Sequence, residues 1–149
     1  LDGNYLITGD TRSSDQDVSN LKGNADFWAV KINGSGDIIW ENTFGGTQFD
    51  AARTVVQMSD GRLAIAGSSR SNDIDVATNN GQNDCWIAIV SSSGNIDQTF
   101  SVGGSDLDFL YDIYQTQNNE LIAVGSSSSN DQDIVPNRGS SDVVFIKIN

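Results

Sequence analysis

Aspartate residues recur in the same arrangement at three places in the sequence, and carboxylates at this spacing could bind a metal ion. Each copy has an Asp-x-Asp motif, and a Gly-x-x-Asp motif begins eight residues after its first aspartate. Oxygen ligands at alternate positions of a flexible loop suit Ca²⁺, with backbone carbonyls and water completing the coordination. The sequence therefore predicts three Ca²⁺ sites, formed by Asp15, Asp17 and Asp26, by Asp73, Asp75 and Asp84, and by Asp131, Asp133 and Asp142.

A second interpretation of these aspartates needs no metal. Asp and Asn side chains accept hydrogen bonds from nearby backbone N–H groups, and such Asx turns hold a long loop in shape. The spacing also differs from that of an EF-hand loop. Three carboxylates close together repel one another, however, and this repulsion favours a cation. Both interpretations stay open at the level of the sequence.

Catalytic chemistry has little support in the rest of the sequence. There is no histidine, which removes Ser-His and Cys-His nucleophile systems and the usual zinc sites. Glu41 and Glu120 are the only glutamates, and neither has a counterpart in the other copies. We predict that the chain is not an enzyme. The enzyme alternative is a polysaccharide lyase or hydrolase, which needs a carboxylate pair in a deep pocket.

The aspartates belong to a repeat with a period of 58 residues. Asp60-Gly61 follow Asp2-Gly3 at this distance, and Trp86 follows Trp28. A partial third copy continues the pattern as far as Lys147. A fixed period of this size is the signature of a repeat architecture.

Four apolar runs of strand length occur in one period, and turn residues separate them. They are residues 63–67, 85–90, 96–102 and 110–115. The run 85–90 is apolar at every position, which indicates a strand covered on both faces. We therefore predict an all-β fold built from β-propeller blades of four antiparallel strands, with a β-helical solenoid as the rival.

The 149 residues cover about two and a half such blades in one propeller segment. We place strands two to four of one blade in residues 1–45, a complete blade in 46–103, and strands one to three of a third blade in 104–149. Closed propellers contain about four to eight blades. We therefore expect either a fragment of a longer array or an assembly of neighbouring copies.

Four segments carry a resemblance to the bacterial β-propeller repeat called SBBP, which occurs in secreted and surface proteins. They are residues 43–50, 60–67, 71–76 and 84–90. The likeness covers the whole chain, although the third copy departs from it with Asn118-Asn119 in place of Asp-Gly and Val144 in place of Trp. The resemblance implies a propeller fold, an extracellular or outer-surface location on a bacterium within a larger polypeptide, and no assigned catalysis.

The charge and hydropathy exclude two classes of partner. The net charge is −12, and the Lys and Arg clusters that bind nucleic-acid backbones or anionic lipids are missing. No run approaches 18 apolar residues and no leader pattern is present, so the sequence predicts neither a membrane span nor a signal peptide within these residues.

Two functions from different classes fit these observations. The first is a binding or adhesion module whose loops, among them residues 19–22, 77–80 and 135–138, contact a glycan or protein at the cell surface. Its candidate ligand-contacting residues are the non-repeated aromatics Trp40, Tyr5, Tyr111 and Tyr114. The second is a structural spacer or assembly segment that packs against other blades of the same polypeptide or against neighbouring copies.

Overall fold

The computed structural model describes residues 3–149, and every regular secondary-structure element in these residues is a β-strand. The strands are β1 (Tyr5–Thr11), β2 (Asp26–Ile32), β3 (Ile38–Phe44), β4 (Asp50–Gln57), β5 (Leu63–Ser69), β6 (Asp84–Val90), β7 (Ile96–Val102), β8 (Asp108–Gln115), β9 (Leu121–Ser127) and β10 (Asp142–Ile148). The prediction of an all-β chain is confirmed. A helix capable of crossing a membrane does not occur in this range.

Consecutive strands pair into three antiparallel sheets. The first sheet contains β1, β2 and β3, the middle sheet β4 to β7, and the last sheet β8, β9 and β10. The register repeats as the sequence does, because Trp28 lies opposite Gly9 and Trp86 lies opposite Gly67. A bulge recurs at equivalent positions, between Ala52 and Thr54 in β4 and between Leu110 and Asp112 in β8.

One core lies at the first junction, between the first and middle sheets. Phe27 and Phe44 of the first sheet pack with Ile65 and Trp86 of the middle sheet. The rings of Phe27 and Trp86 meet edge to face, with centroids 4.6 Å apart and planes at 60°. Trp86 is fully buried, whereas its counterpart Trp28 is only half-buried.

A second core lies at the second junction, between the middle and last sheets. Cys85 and Ile87 of β6 pack here with Leu110, Ala123 and Val144 of the last sheet. Successive side chains of a strand point to opposite faces, so β5 and β6 contribute to both cores and are buried at every residue. Burial raises the pKa of the Cys85 thiol, which behaves as a small buried hydrophobe.

Each outer sheet leaves one apolar face uncovered. On β1, Tyr5 and Ile7 are 61% and 47% exposed, whereas Leu6 between them packs against the first core. On β10, Val143 and Phe145 are 83% and 62% exposed, and they alternate with Val144 and Ile146 of the second core. The middle sheet is thus covered on both sides and the outer sheets on one.

Candidate functional site

The Asp-x-Asp motifs lie in the loops that join β1 to β2, β5 to β6 and β9 to β10. In each loop the residue between the two aspartates has a left-handed backbone, with φ of 55° at Gln16, 56° at Ile74 and 55° at Gln132. A turn follows in which the N–H of Val18, Val76 or Ile134 donates to the carbonyl three residues earlier, at 3.1, 3.0 and 3.0 Å. The three loops therefore have the same backbone conformation.

At the first junction, the loop between β5 and β6 of the middle sheet binds the turn that follows β3. Asp73 accepts hydrogen bonds from the Thr47 N–H and hydroxyl, both at 2.8 Å. Asp75 accepts the Gly45 N–H at 3.0 Å, and its own N–H donates to the Gly45 carbonyl at 3.2 Å. The two carboxylates thus bind main-chain groups of a Gly-Gly-Thr turn in the neighbouring sheet.

The second junction repeats this arrangement between the last and middle sheets. Asp131 accepts the Ser105 N–H at 2.8 Å, and Asp133 accepts the Gly103 N–H at 3.3 Å. The turn has to carry glycine here, because a Cβ on Gly104 would lie 2.7 Å from the Ser129 Cβ. We call the aspartate pair together with its Gly-Gly turn an aspartate clamp, and residues 3–149 contain two complete clamps.

The first sheet carries the aspartate pair without the turn. Asp15 and Asp17 are exposed, and neither carboxylate accepts a hydrogen bond from any residue in the range 3–149. The loop nevertheless keeps the conformation of the other two, with φ of 55° at Gln16 and the Val18–Asp15 hydrogen bond. This pair is half of a clamp whose shape does not depend on a bound turn.

Asp50 and Asp108, which were not among the predicted site residues, lie fully buried behind the Gly-Gly turns. Asp50 accepts the Gly46 N–H at 2.7 Å and the hydroxyls of Ser69 and Ser71 at 2.5 and 2.8 Å. Asp108 accepts the equivalent three groups, from Gly104, Ser127 and Ser129. Each of these aspartates therefore connects the Gly-Gly turn to two serines of the neighbouring strand and loop.

Asp26, Asp84 and Asp142 begin the strands that follow the loops, and each accepts a backbone N–H four residues earlier. The donors are Lys22, Asn80 and Arg138, at 2.6, 2.8 and 2.5 Å. The second oxygen, Oδ1, of Asp26 and of Asp84 is buried and has no hydrogen-bond partner in the described part of the chain. These aspartates therefore stabilise the ends of their own loops.

Burial raises the pKa of both buried loop aspartates. The pKa of Asp84 rises from 3.8 to about 6, because of desolvation first and the charges of Asp108 and Asp133 second. The pKa of Asp26 is also raised by desolvation and by Asp50, although the Lys22 ammonium and backbone N–H oppose this. A buried carboxylate near other carboxylates favours its neutral form.

Lys22 and Asn80 occupy the same repeat position and distinguish the two junctions. The Lys22 ammonium contacts the Asp75 carboxylate at 2.5 Å and the Thr43 carbonyl at 2.6 Å. The Asn80 amide instead donates to the Gly103 carbonyl and to Asp133, at 3.1 and 3.2 Å. The first clamp therefore includes a positive charge, whereas the second contains only a neutral donor at this position.

Seven of the nine carboxylates predicted to bind Ca²⁺ accept protein N–H groups in the structure, and Asp15 and Asp17 are the exceptions among residues 3–149. Both complete clamps use their oxygens to accept N–H groups, and no three His, Cys, Asp or Glu side chains within residues 3–149 form a group that could hold a metal ion. Ca²⁺ binding by these aspartates stays a prediction.

The four aromatic candidates fall into two groups. Trp40 connects the first and middle sheets, since its Nε1 donates to the Ser92 carbonyl at 3.1 Å. Tyr5, Tyr111 and Tyr114 are 61%, 56% and 63% exposed. Tyr5 lies on the uncovered face of the first sheet, and Tyr114 neighbours the buried Ile113 and so points away from the second core.

A signal for the clamp partners is present in the sequence. Gly45-Gly46 and Gly103-Gly104 recur with Asp50 and Asp108 five residues after the first glycine, and Ser69 and Ser71 recur as Ser127 and Ser129. Neither family models nor curated proteins give a match to this sequence. The three copies of the repeat can therefore be compared only with one another.

Proposed function

We propose that this chain is a non-catalytic β-propeller repeat segment whose function is to stack with further sheets of its own kind within a larger extracellular bacterial protein. The propeller arrangement is supported by three consecutive sheets that follow the 58-residue repeat and pack face to face. The location rests on the resemblance of the repeats to SBBP.

One observation carries the stacking function: apolar residues are exposed at repeat positions that are buried inside the molecule. Tyr5 and Ile7 correspond to Leu63 and Ile65, which are 5% and 0% exposed at the first junction. Val143 and Phe145 correspond to Cys85 and Ile87, each 1% exposed at the second junction. Exposed apolar patches of this kind mark interaction surfaces.

An in-register extension of the chain tests the stacking function. A second copy of residues 1–58 is added before residue 1 of the whole sequence. It supplies a fourth strand for the first sheet and a further sheet that precedes it. We expect one cooperative unfolding transition with a larger denaturant slope, because more surface is buried on folding. A separate transition for the added repeat, with the rest unchanged, would contradict stacking.

A matched control has the same added residues with Phe27→Asp in the added copy. This position supplies a fully buried ring to the first core, so a charge there should prevent the added sheet from packing. The control should unfold in two steps. If it behaves as the unmodified extension does, the added sheet does not pack through this face.

The second candidate function, binding of a glycan or protein ligand, is favoured by the exposure of Tyr5, Tyr111 and Tyr114. Aromatic side chains supply large contact areas at binding surfaces. Affinity electrophoresis through polysaccharide gels should then show retardation that is lost in a Tyr111→Ala and Tyr114→Ala variant. Equal mobility with and without polysaccharides would leave only stacking.

A further inference from the structure

We propose that Asp15 and Asp17, with the uncovered face of β1, form a docking site for the Gly-Gly-Thr or Gly-Gly-Ser turn of another sheet of this repeat type. The inference rests on the proposed stacking function and names the contacts through which one end of the chain would perform it.

The two complete clamps define what this site would bind. In both, the second aspartate accepts the N–H of the first glycine, at 3.0 Å for Asp75 and 3.3 Å for Asp133. The first aspartate accepts the N–H two residues later, at 2.8 Å for Asp73 and for Asp131. Asp15 and Asp17 stand at the same repeat positions in a loop of the same conformation.

The Asp15–Asp17 loop already has the conformation of the two bound loops. Gln16 holds a left-handed φ that L-residues rarely adopt, although the Asp15 and Asp17 carboxylates accept no hydrogen bond from residues 3–149. A binding loop already in its bound conformation loses less entropy when its partner arrives. Each aspartate would then gain hydrogen bonds to main-chain N–H groups at little cost in order.

The apolar face beside the loop fits the same partner. Tyr5, Ile7 and Ile38 are exposed, and their counterparts Leu63, Ile65 and Ile96 pack against Phe27, Ala29 and Phe44 of the preceding sheet. A partner with such an apolar sheet face and a Gly-Gly turn at its edge would meet both halves of the site.

A second copy of this chain is a poor occupant. Its Gly45-Gly46 and Gly103-Gly104 turns already bind their own aspartate pairs, and the sheet faces beside them are buried in the two cores. The occupant is therefore a sheet of this repeat whose turn and face are free, such as the one that the extended chain supplies.

The test compares the Asp15→Ala and Asp17→Ala double variant in two backgrounds, the 149-residue chain and the extended chain. In the extended chain the original copy is changed and not the added one. In the 149-residue chain the thermal midpoint should move by less than about 1 °C, because the carboxylates accept no hydrogen bond from residues 3–149. In the extended chain the midpoint should fall by about 4 °C or more. The matched control, Asp73→Ala with Asp75→Ala, should lower the midpoint in both chains.

Each outcome decides between the proposals. A fall in the 149-residue chain would mean that the pair acts only within its own loop, and the docking site would be wrong. An extended chain that stacks but does not respond to the double variant would overturn the docking site and leave the stacking function standing. An extended chain that fails to stack would instead overturn the stacking function. A midpoint raised by Ca²⁺ in the 149-residue chain, and not in the double variant, would assign the pair to a metal and reject turn binding.

Discussion

The first and second junctions hold their sheets with the same backbone contacts and with different side chains. Both use an aspartate clamp and a buried aspartate behind the turn. The first adds the Lys22 ammonium and the Phe27–Trp86 ring pair, whereas the second has Asn80, Cys85 and Val144 at these positions. Contacts to the main chain therefore set the geometry of the junction, and they allow the side chains to vary in charge and volume.

The largest difference between the junctions should appear when the rings are removed. Trp86→Ala should lower the free energy of unfolding by about 3–5 kcal/mol, because it leaves a cavity in the first core. Val144→Ala, at the equivalent position of the second core, should cost about 2 kcal/mol since it removes only two methyl groups. Urea denaturation at equilibrium measures both losses.

Two further variants control for this prediction. Trp28→Ala should cost less than Trp86→Ala, because Trp28 is only half-buried in the outer sheet. Trp86→Phe should also cost less than Trp86→Ala, since it keeps a ring and discards an indole N–H that is buried without a partner among residues 3–149. Equal losses for all three would mean that the ring pair is not what stabilises the first junction.

Replacing Asn80 by Lys and Lys22 by Asn should move the positive charge from the first junction to the second. Asn80→Lys should lower the pKa of Asp84 and raise the free energy of unfolding by about 0.5 kcal/mol near neutral pH, as an ion pair forms with the exposed Asp133. Lys22→Asn should have the opposite effect at Asp26. Chemical denaturation across a pH series measures both.

The pH dependence has a definite sign. The pKa of Asp84 is about 6 in the folded chain and 3.8 ordinarily, so between these values the folded state binds the proton that the unfolded state has released. The stability that this proton contributes is complete below pH 3.8 and is lost as the pH rises through about 6. Asp84→Asn and Asn80→Lys should each reduce this component, and an unchanged slope in both would contradict it.

A smaller effect should distinguish the middle residues of the clamps. Ile74 is β-branched and holds a φ of 56°, whereas the second clamp has Gln132 in this conformation. Ile74→Asn should raise the free energy of unfolding by about 0.5–1 kcal/mol, because Asn tolerates left-handed backbone better and the Ile74 side chain is 62% exposed. Ile74→Ala keeps the strain and should show no such gain in urea denaturation.

Calcium should have the smallest effect on either junction. The clamp oxygens already accept hydrogen bonds from main-chain N–H groups. The thermal midpoint in about 5 mM Ca²⁺ should therefore equal the midpoint in chelator. Differential scanning fluorimetry with Mg²⁺ as the control cation measures this. A rise specific to Ca²⁺, and lost in the Asp73→Ala and Asp75→Ala variant, would instead support the metal interpretation for the first clamp.

The repeat and the strands were predictable because they depend on local and periodic signals. The apolar runs at 85–90 and 96–102 match β6 and β7 to within a residue, and continuous apolarity in β6 correctly indicated burial on both faces. The buried Asp50 and Asp108 were missed, since an aspartate at the start of a strand resembles an ordinary turn residue until its three donors are known.

The sequence by itself determined the period, the strand positions and the alternation of side chains, because strand formation needs only neighbouring residues of suitable type. Only the tertiary structure decided which atoms the aspartates bind. Asp73 and Asp75 meet their partners 26 and 30 residues away, across a junction that exists only after two sheets have packed. From the sequence alone, a carboxylate can be assigned equally well to a cation, to a group of its own loop or to a distant N–H. The packing of the sheets determines which N–H groups lie within its reach.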